Sequence, residues 1–277
     1  MKTKQKSELN EIKEKRKESR KVLFDKIRII IANALYPDDC NCIVCDREIP
    51  KGSKYCLCEE CMQTFSFNNG RICVRCGSPM DNEACYCLEC QNYPKEFDFS
   101  RSSLVYEKDV QRLLLDVKFH NNRWIEKFFA EMLYDTYMEN HLDADVIIPV
   151  PISKEREKER GYNQSYLLAK PLAQMLNLPL LTDVIIKTKD NKRQSSLTAK
   201  ERRENVLGVY QLLDSKQVKG KKVLVVDDIL TTGSTLSEIS HKLKSAGAAA
   251  VYGLVVASSR FNMPFSDDDY SEFEVIM

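Results

Sequence analysis

Two adjacent carboxylates, Asp227 and Asp228, follow the aliphatic run Val223-Leu224-Val225-Val226, and the hydroxyl-rich turn Thr231-Thr232-Gly233-Ser234-Thr235 follows them. The aliphatic run reads as a buried strand, and the turn as the opening of a helix from about Gly233 to Ala246. At the carboxyl end of a parallel strand this order places a helix N-terminus, with its free N–H groups and positive dipole end, where a phosphate can sit. Thr231, Thr232, Ser234 and Thr235 bring hydroxyl donors, Gly233 lets the backbone approach closely, and the two carboxylates suit sugar hydroxyls. The turn is neither a Walker loop nor a G-x-G-x-x-G dinucleotide loop. The plain alternative is a helix cap that happens to be rich in Ser and Thr.

A second chemistry is written in the thiols. All 11 cysteines fall between Cys40 and Cys90, eight of them as four C-x-x-C pairs: Cys42/Cys45, Cys58/Cys61, Cys73/Cys76 and Cys87/Cys90. Two residues between thiolates let both sulfurs converge from one tight turn, and two such turns complete a tetrahedral zinc shell with no open position, so the metal is structural. Sequential pairing makes two zinc ribbons; interleaved pairing makes a cross-braced module. Spacings of about a dozen residues favour the ribbons. Cys40, Cys56 and Cys85 each stand two residues upstream of a pair, as spare thiols or exchangeable ligands.

These groups need elements to hold them. The chain has 277 residues, 43% hydrophobic and 30% charged, with 42 Lys plus Arg against 41 Asp plus Glu. That composition excludes wholesale disorder, and no run reaches the ~20 apolar residues of a membrane helix. Strands over 145–150, 222–227 and 250–257 alternate with helices over 109–119, 124–137, 161–176 and 233–246. Near-continuous aliphatic strands between helices imply a parallel sheet covered on both faces. The expected plan is a basic arm with an amphipathic helix at 1–39, a Cys-rich zinc module at 40–95, an α/β domain at 96–260 and an acidic tail at 261–277. The cysteine module has too few apolar residues for a core of its own, so zinc binding, worth roughly 10–16 kcal/mol in small zinc peptides, supplies its folding energy. The run Ile29–Leu35 makes a poor signal segment, because 28 residues mixing Glu and Lys precede it. Reduced thiols in a cytoplasm are expected.

The segment Val223–Thr235 resembles the phosphoribosyl pyrophosphate (PRPP) motif of type I phosphoribosyltransferases. That resemblance implies that Asp227 and Asp228 hold the ribose hydroxyls and that residues 231–235 wrap the 5′-phosphate. The charged segment Pro149–Gln164, a solvated loop if taken alone, then resembles the pyrophosphate-side loop, with Lys154, Arg156 and Arg160 neutralising diphosphate oxygens. The polar stretch 187–205, with Gln194, Leu197, Arg202 and Asn205, resembles the lid these enzymes close over the reaction centre. His120, His141 and His241 fall in none of the three and read as surface or packing residues.

The order of parts, an apolar helix before Tyr36-Pro37, four Cys pairs, Pro149-Val150-Pro151 through Arg160-Gly161-Tyr162-Asn163-Gln164, then the PRPP motif, resembles the ComF family over roughly residues 23–260. The resemblance implies a type I phosphoribosyltransferase-like parallel sheet preceded by a double zinc ribbon, PRPP bound with Mg²⁺, and transfer of phosphoribosyl to an acceptor with departure of pyrophosphate. It further implies a role in natural competence, handling internalised single-stranded DNA beside a DNA-uptake helicase or other competence protein. Lys51, Lys54, Arg71, Arg75 and the basic arm are candidate phosphate contacts, and Phe65, Phe67 and Tyr86 candidate stacking rings. The alternatives are a PRPP sensor without turnover and a zinc-ribbon adaptor.

Overall fold

The computed structural model describes residues 41–50, 52–107, 110–114, 123–189, 201 and 205–259. The chain divides into two compact units, 1–58 and 59–277. The expected arm, its amphipathic helix, the acidic tail and most of the helix over 109–119 lie outside the described residues.

In the first unit a knuckle forms at Cys42–Arg47. Cys42 N–H donates to Arg47 O at 2.7 Å and Asp46 N–H to Cys42 O at 2.8 Å, while Asn41 bridges Glu48. Among the described residues of this unit, Cys42, Ile49, Tyr55 and Leu57 are the buried side chains.

The second unit is built on a four-stranded parallel sheet. Its strands are β1 (Phe99–Val105), β2 (Val146–Pro149), β5 (Lys222–Leu230) and β6 (Ala250–Ser258), in the order β1-β6-β5-β2. Two three-residue strands, β3 (Ile185–Lys187) and β4 (Tyr210–Leu212), form a separate antiparallel pair. The helices are α1 (Glu59–Thr64), α2 (Leu88–Asn92), α3 (Arg123–Glu139), α4 (Lys154–Arg160), α5 (Gln164–Leu176) and α6 (Ser234–Ser245), with a further helical stretch at 110–114. Strand side chains alternate between faces. Val146, Ile148, Val223, Val225, Val251 and Val255 share one core with Leu236, Ile239 and Leu243 of α6, while α3 and α5 pack on each other and on the sheet.

Three elements differ from the sequence reading. The strand expected to end at Asp227 runs on to Leu230, because β6 continues to pair with it as far as Leu230 opposite Ser258. The charged segment 154–160 is a helix rather than a loop. Ser153 caps it by accepting the Arg156 N–H at 3.3 Å, and Gly161, at φ 81°, ends it in the left-handed conformation. Finally, β1 is a strand although four of its seven residues are Ser or Arg. Two of its three buried serines find partners across the fold, Ser102 with Ser258 at 2.7 Å and Ser103 with Thr136 at 2.8 Å, while the Ser100 hydroxyl is buried without a partner among the described residues.

The second pair of Cys knuckles belongs to this unit's core. Cys73, Cys76 and Cys87 are buried in the same cluster as Phe97 and the α6 residues. Gly77 sits at φ 73° directly over β1: a β-carbon there would lie 2.5 Å from Ser100 O, so only glycine fits.

Candidate functional site

β5 and β2 are neighbours and parallel, so their carboxyl ends deliver two chain segments to one edge of the sheet. From β5 come Asp227, Asp228 and the turn into α6; from β2 comes the entry to α4. Asp227 Oδ1 accepts from Ser165 Oγ at 2.8 Å and from the Asp228 N–H at 3.0 Å. Asp228 Oδ1 accepts the Ile229 N–H at 2.8 Å. Burial, and then the negative charge of Asp228, push the Asp227 carboxyl up to about 8, against the pull of the Ser165 hydroxyl. Such a site favours a ligand that brings hydroxyl donors and positive charge.

Gly233 caps α6 at φ 70°, and no side chain caps the helix from that position. The Ser234 N–H turns back to Thr232 Oγ1 at 3.4 Å, and the N–H groups that follow it form the positive end of the helix. Thr232 is buried, and its Oγ1 lies 2.7 Å from Ser234 Oγ, while Thr231, Ser234 and Thr235 are half-buried around the turn. On the β2 side, Arg160 Nη1 of α4 donates to Gln164 Oε1 of α5 at 3.0 Å, and Asn163, the N-cap of α5, donates from Nδ2 to Val150 O at 3.0 Å, tying the α4–α5 turn to the strand end. Lys154 is exposed and Arg156 half-buried.

Sequence reasoning missed two residues here. Ser165 is the hydroxyl partner of Asp227. Tyr210, buried on β4, has its phenol raised above the ordinary range by burial and by the charge of Asp227, with a Thr235 hydrogen bond and the charge of Arg156 acting the other way. Tyr210 thus stands beside the phosphate turn, within the field of the acidic pair. Neither residue stands in a recognisable motif; only the tertiary fold brings them in.

Of the expected lid, Gln194, Leu197 and Arg202 lie outside the described residues, and Asn205 is half-buried. β3 and β4 close the ends of that stretch, Lys187 opposite Tyr210, and Gly208 N–H donates to Glu238 Oε1 of α6 at 3.1 Å. His241 lies 3.9 Å from Glu96, His141 sits at φ 49° after α3, and His120 is outside the described residues. The expected stacking ring Phe65 is buried against Phe128, with centroids 5.8 Å apart, and offers no face to a base; Tyr86 is exposed and Phe67 half-buried. The basic arm and Lys51 lie outside the described residues. Lys54 sits over the Tyr55 ring, and Arg75 is held by backbone carbonyls.

The thiols gather sequentially. Cys42, Cys45, Cys58 and Cys61 form one group and Cys73, Cys76, Cys87 and Cys90 the other, with all four sulfurs of each group within 4.8 Å of one another. Cys56 and Cys85 join neither group, and Cys40 is outside the described residues. The donor set fits zinc: four thiols, with the Cys87 N–H directed at Cys73 Sγ at 3.3 Å and the Ser78 hydroxyl 3.3 Å from Cys76 Sγ. Burial alone would raise the Cys42 thiol, but the N–H groups around it, from Cys58, Cys45 and Val44, bring it down to about 6. Cys73 is held well below the ordinary thiol range by the sulfurs of Cys76, Cys87 and Cys90.

A parallel α/β sheet carrying an acidic pair and a phosphate turn at its carboxyl edge, together with two Cys₄ groups, defines a phosphoribosyltransferase-type domain combined with a double zinc ribbon. Family models agree: a phosphoribosyl transferase domain matches residues 162–271 and a double zinc ribbon domain residues 31–91. The chain is 33% identical to Competence protein F of Haemophilus influenzae over 226 residues, 78% of this chain and 96% of that protein. It is 30% identical to Competence protein ComFC of Bacillus subtilis over 203 residues, 70% and 80% of the two chains. To the DNA utilization protein YhgH of Escherichia coli K12 it is 28% identical over 200 residues, 70% and 87%. The chain belongs to the ComF family.

Proposed function

We propose that this protein binds PRPP with Mg²⁺ at the carboxyl edge of β5 and β2 and serves competence and DNA utilization, the roles that the names of its relatives state for them. The observation that carries this reading is the meeting, at one sheet edge, of the Asp227–Asp228 pair and the α6 N-terminus, delivered by β5, with the basic residues of α4, delivered by its neighbour β2. Asp227 and Asp228 grip the ribose hydroxyls, and residues 231–235 with the first N–H groups of α6 take the 5′-phosphate. Lys154, Arg156 and Arg160 neutralise the diphosphate. The Asp227–Asp228 pair would be the negative charge that holds Mg²⁺ beside PRPP at this edge, and the ion would supply electrostatic stabilisation of the departing pyrophosphate.

In this reading the chain's residues act by position and charge, and no protein nucleophile takes part. An acceptor attacking C1′ displaces pyrophosphate while Arg156 and Arg160 meet the charge that develops on it. Incubation with Mg-PRPP and candidate acceptors is the test of transfer: pyrophosphate appears with wild type and not with Asp228→Asn. PRPP that raises the melting temperature with no release of pyrophosphate makes the protein a sensor instead.

A second reading, a zinc-ribbon adaptor for a DNA-translocating helicase or another competence protein, draws on a different observation. Val74, Tyr86, Leu88 and Tyr93 of the second ribbon are exposed, at 50%, 43%, 62% and 42%. Residues 71–95 balance Arg71, Arg75 and Lys95 against Asp81, Glu83 and Glu89, which favours a protein surface over a single-stranded DNA backbone there. Pull-down of such a partner that survives Asp228→Asn and fails on Leu88→Glu supports it. Among the described residues no helix is long and apolar enough to cross a membrane, and the cytoplasm remains the proposed compartment.

A further inference from the structure

The segment Lys95–Asp98 joins the second pair of Cys knuckles to β1, and it is tied on both sides. Toward the knuckles, Arg75, which lies between Cys73 and Cys76, donates from Nη1 to Phe97 O at 2.8 Å and to Asp98 O at 2.9 Å, and its own carbonyl accepts the Ser100 N–H at 2.8 Å. Lys95 pairs with Glu89 at 2.9 Å, with both side chains almost fully enclosed, at 3% and 5% exposure; Glu89 stands between Cys87 and Cys90. Toward α6, the Glu96 N–H donates to Ser237 Oγ at 3.0 Å and Asp98 pairs with Lys244 at 3.0 Å. The ring of Phe97, with no exposed surface, lies against Gly233: a β-carbon built there would meet Cε1 and Cζ at 3.5 Å.

We propose that Arg75 and Phe97 are positioning residues for the 5′-phosphate turn, so that the second Cys₄ group sets the placement of Gly233 and the first turn of α6. The proposal rests on the PRPP reading. Gly233 has no side chain to anchor it and occupies the left-handed region, so its place is set by its neighbours, and the Phe97 ring is one of them. Phosphate binding at a helix N-terminus depends on where the N–H groups aim. The diphosphate side is held apart from this strap: α4 is capped by Ser153 and joined to α5 by Arg160 and Gln164, and Asn163 ties the turn between them to the end of β2.

That separation gives the test. Full-length, zinc-loaded protein is titrated by calorimetry with ribose 5-phosphate and, separately, with Mg-pyrophosphate, for wild type, Arg75→Gln, Arg75→Lys and Phe97→Leu, with zinc counted in each. Arg75→Gln and Phe97→Leu are expected to keep their zinc and to bind ribose 5-phosphate about tenfold more weakly, the loss of one well-aligned interaction. Mg-pyrophosphate affinity stays within about twofold of wild type, and Arg75→Lys recovers part of the lost affinity. Should Phe97→Leu fail to fold, Ser237→Ala, which removes only the acceptor for the Glu96 N–H, carries the same prediction at about threefold. Unchanged ribose 5-phosphate affinity in these variants overturns the positioning role, and so does equal loss of both half-ligands. Wild-type protein that binds neither half-ligand nor PRPP defeats the PRPP reading itself, a distinct result.

Discussion

Asp227 carries the largest conflict between stability and binding at the site. Its ordinary value of 3.8 rises to about 8 in the folded protein, so ionising it costs folding free energy. That cost is absent below pH 3.8, grows as pH rises, and is complete above about 8. Asp227→Asn is therefore expected to raise the melting temperature of ligand-free protein at pH 8.5 and to leave it unchanged near pH 4. In a chain of this size each kcal/mol recovered amounts to about 2–4 °C. The same variant loses PRPP binding, and thermal melts with and without Mg-PRPP read both effects. Tyr210→Phe removes the hydroxyl shared with Thr235 at a cost of about 1 kcal/mol, read as a melting shift and a weaker 5′-phosphate contact. The acidic pair, the hydroxyl turn and the eight grouped cysteines were legible in the sequence because their chemistry is local: the acidic pair and the turn are nearly contiguous, and each C-x-x-C pair finds its partners in the next or preceding pair along the chain. Ser165 and Tyr210 were not, because each meets the site across the fold, Ser165 62 residues from Asp227.

The elements divide by how much of their reason is local. β5, β6 and α6 carry strong periodic patterns and stand where the sequence puts them, with β5 three residues longer because its neighbour continues. α4 carried its own signs, Ser153 at one end and Gly161 at the other around strong helix formers, but its all-charged face has no apolar stripe, and so it read as a loop. β1 escaped notice because three of its buried residues are serines, two of them paired to distant hydroxyls, which defeats a hydrophobic pattern. β3 and β4 are three residues each, too short to show a period. The contact of the second ribbon with β1 is open to a direct comparison of glycines. Gly77→Ala forces a β-carbon to 2.5 Å from Ser100 O at φ 73° and is expected to cost about 3 kcal/mol or more, whereas Gly52→Ala, with nothing within 4 Å, costs only the backbone strain of about 1 kcal/mol. Denaturant midpoints of the two variants check the difference.

For the whole molecule, the second Cys₄ group shares a core with the sheet that builds the phosphate site, so metal and fold are linked. Metal analysis is expected to find two zinc ions per chain, and Cys76→Ser to leave one and to melt the phosphoribosyltransferase sheet in the same transition as its ribbon. Separate transitions for ribbon and sheet would contradict that linkage. Membership of the ComF family, the parallel sheet and the sequential grouping of the thiols all followed from spacing and order along the chain. The junction of the second ribbon with the site did not, since the residues that make it, Arg75, Glu89, Lys95 and Phe97, look ordinary one at a time. The central claim is that a sugar phosphate docks at the start of α6 with its hydroxyls on Asp227 and Asp228. Isothermal titration of zinc-replete protein with Mg-PRPP tests it most directly: the account predicts saturable binding of one PRPP per chain that Asp228→Asn abolishes, and no heat of binding at millimolar PRPP would contradict it.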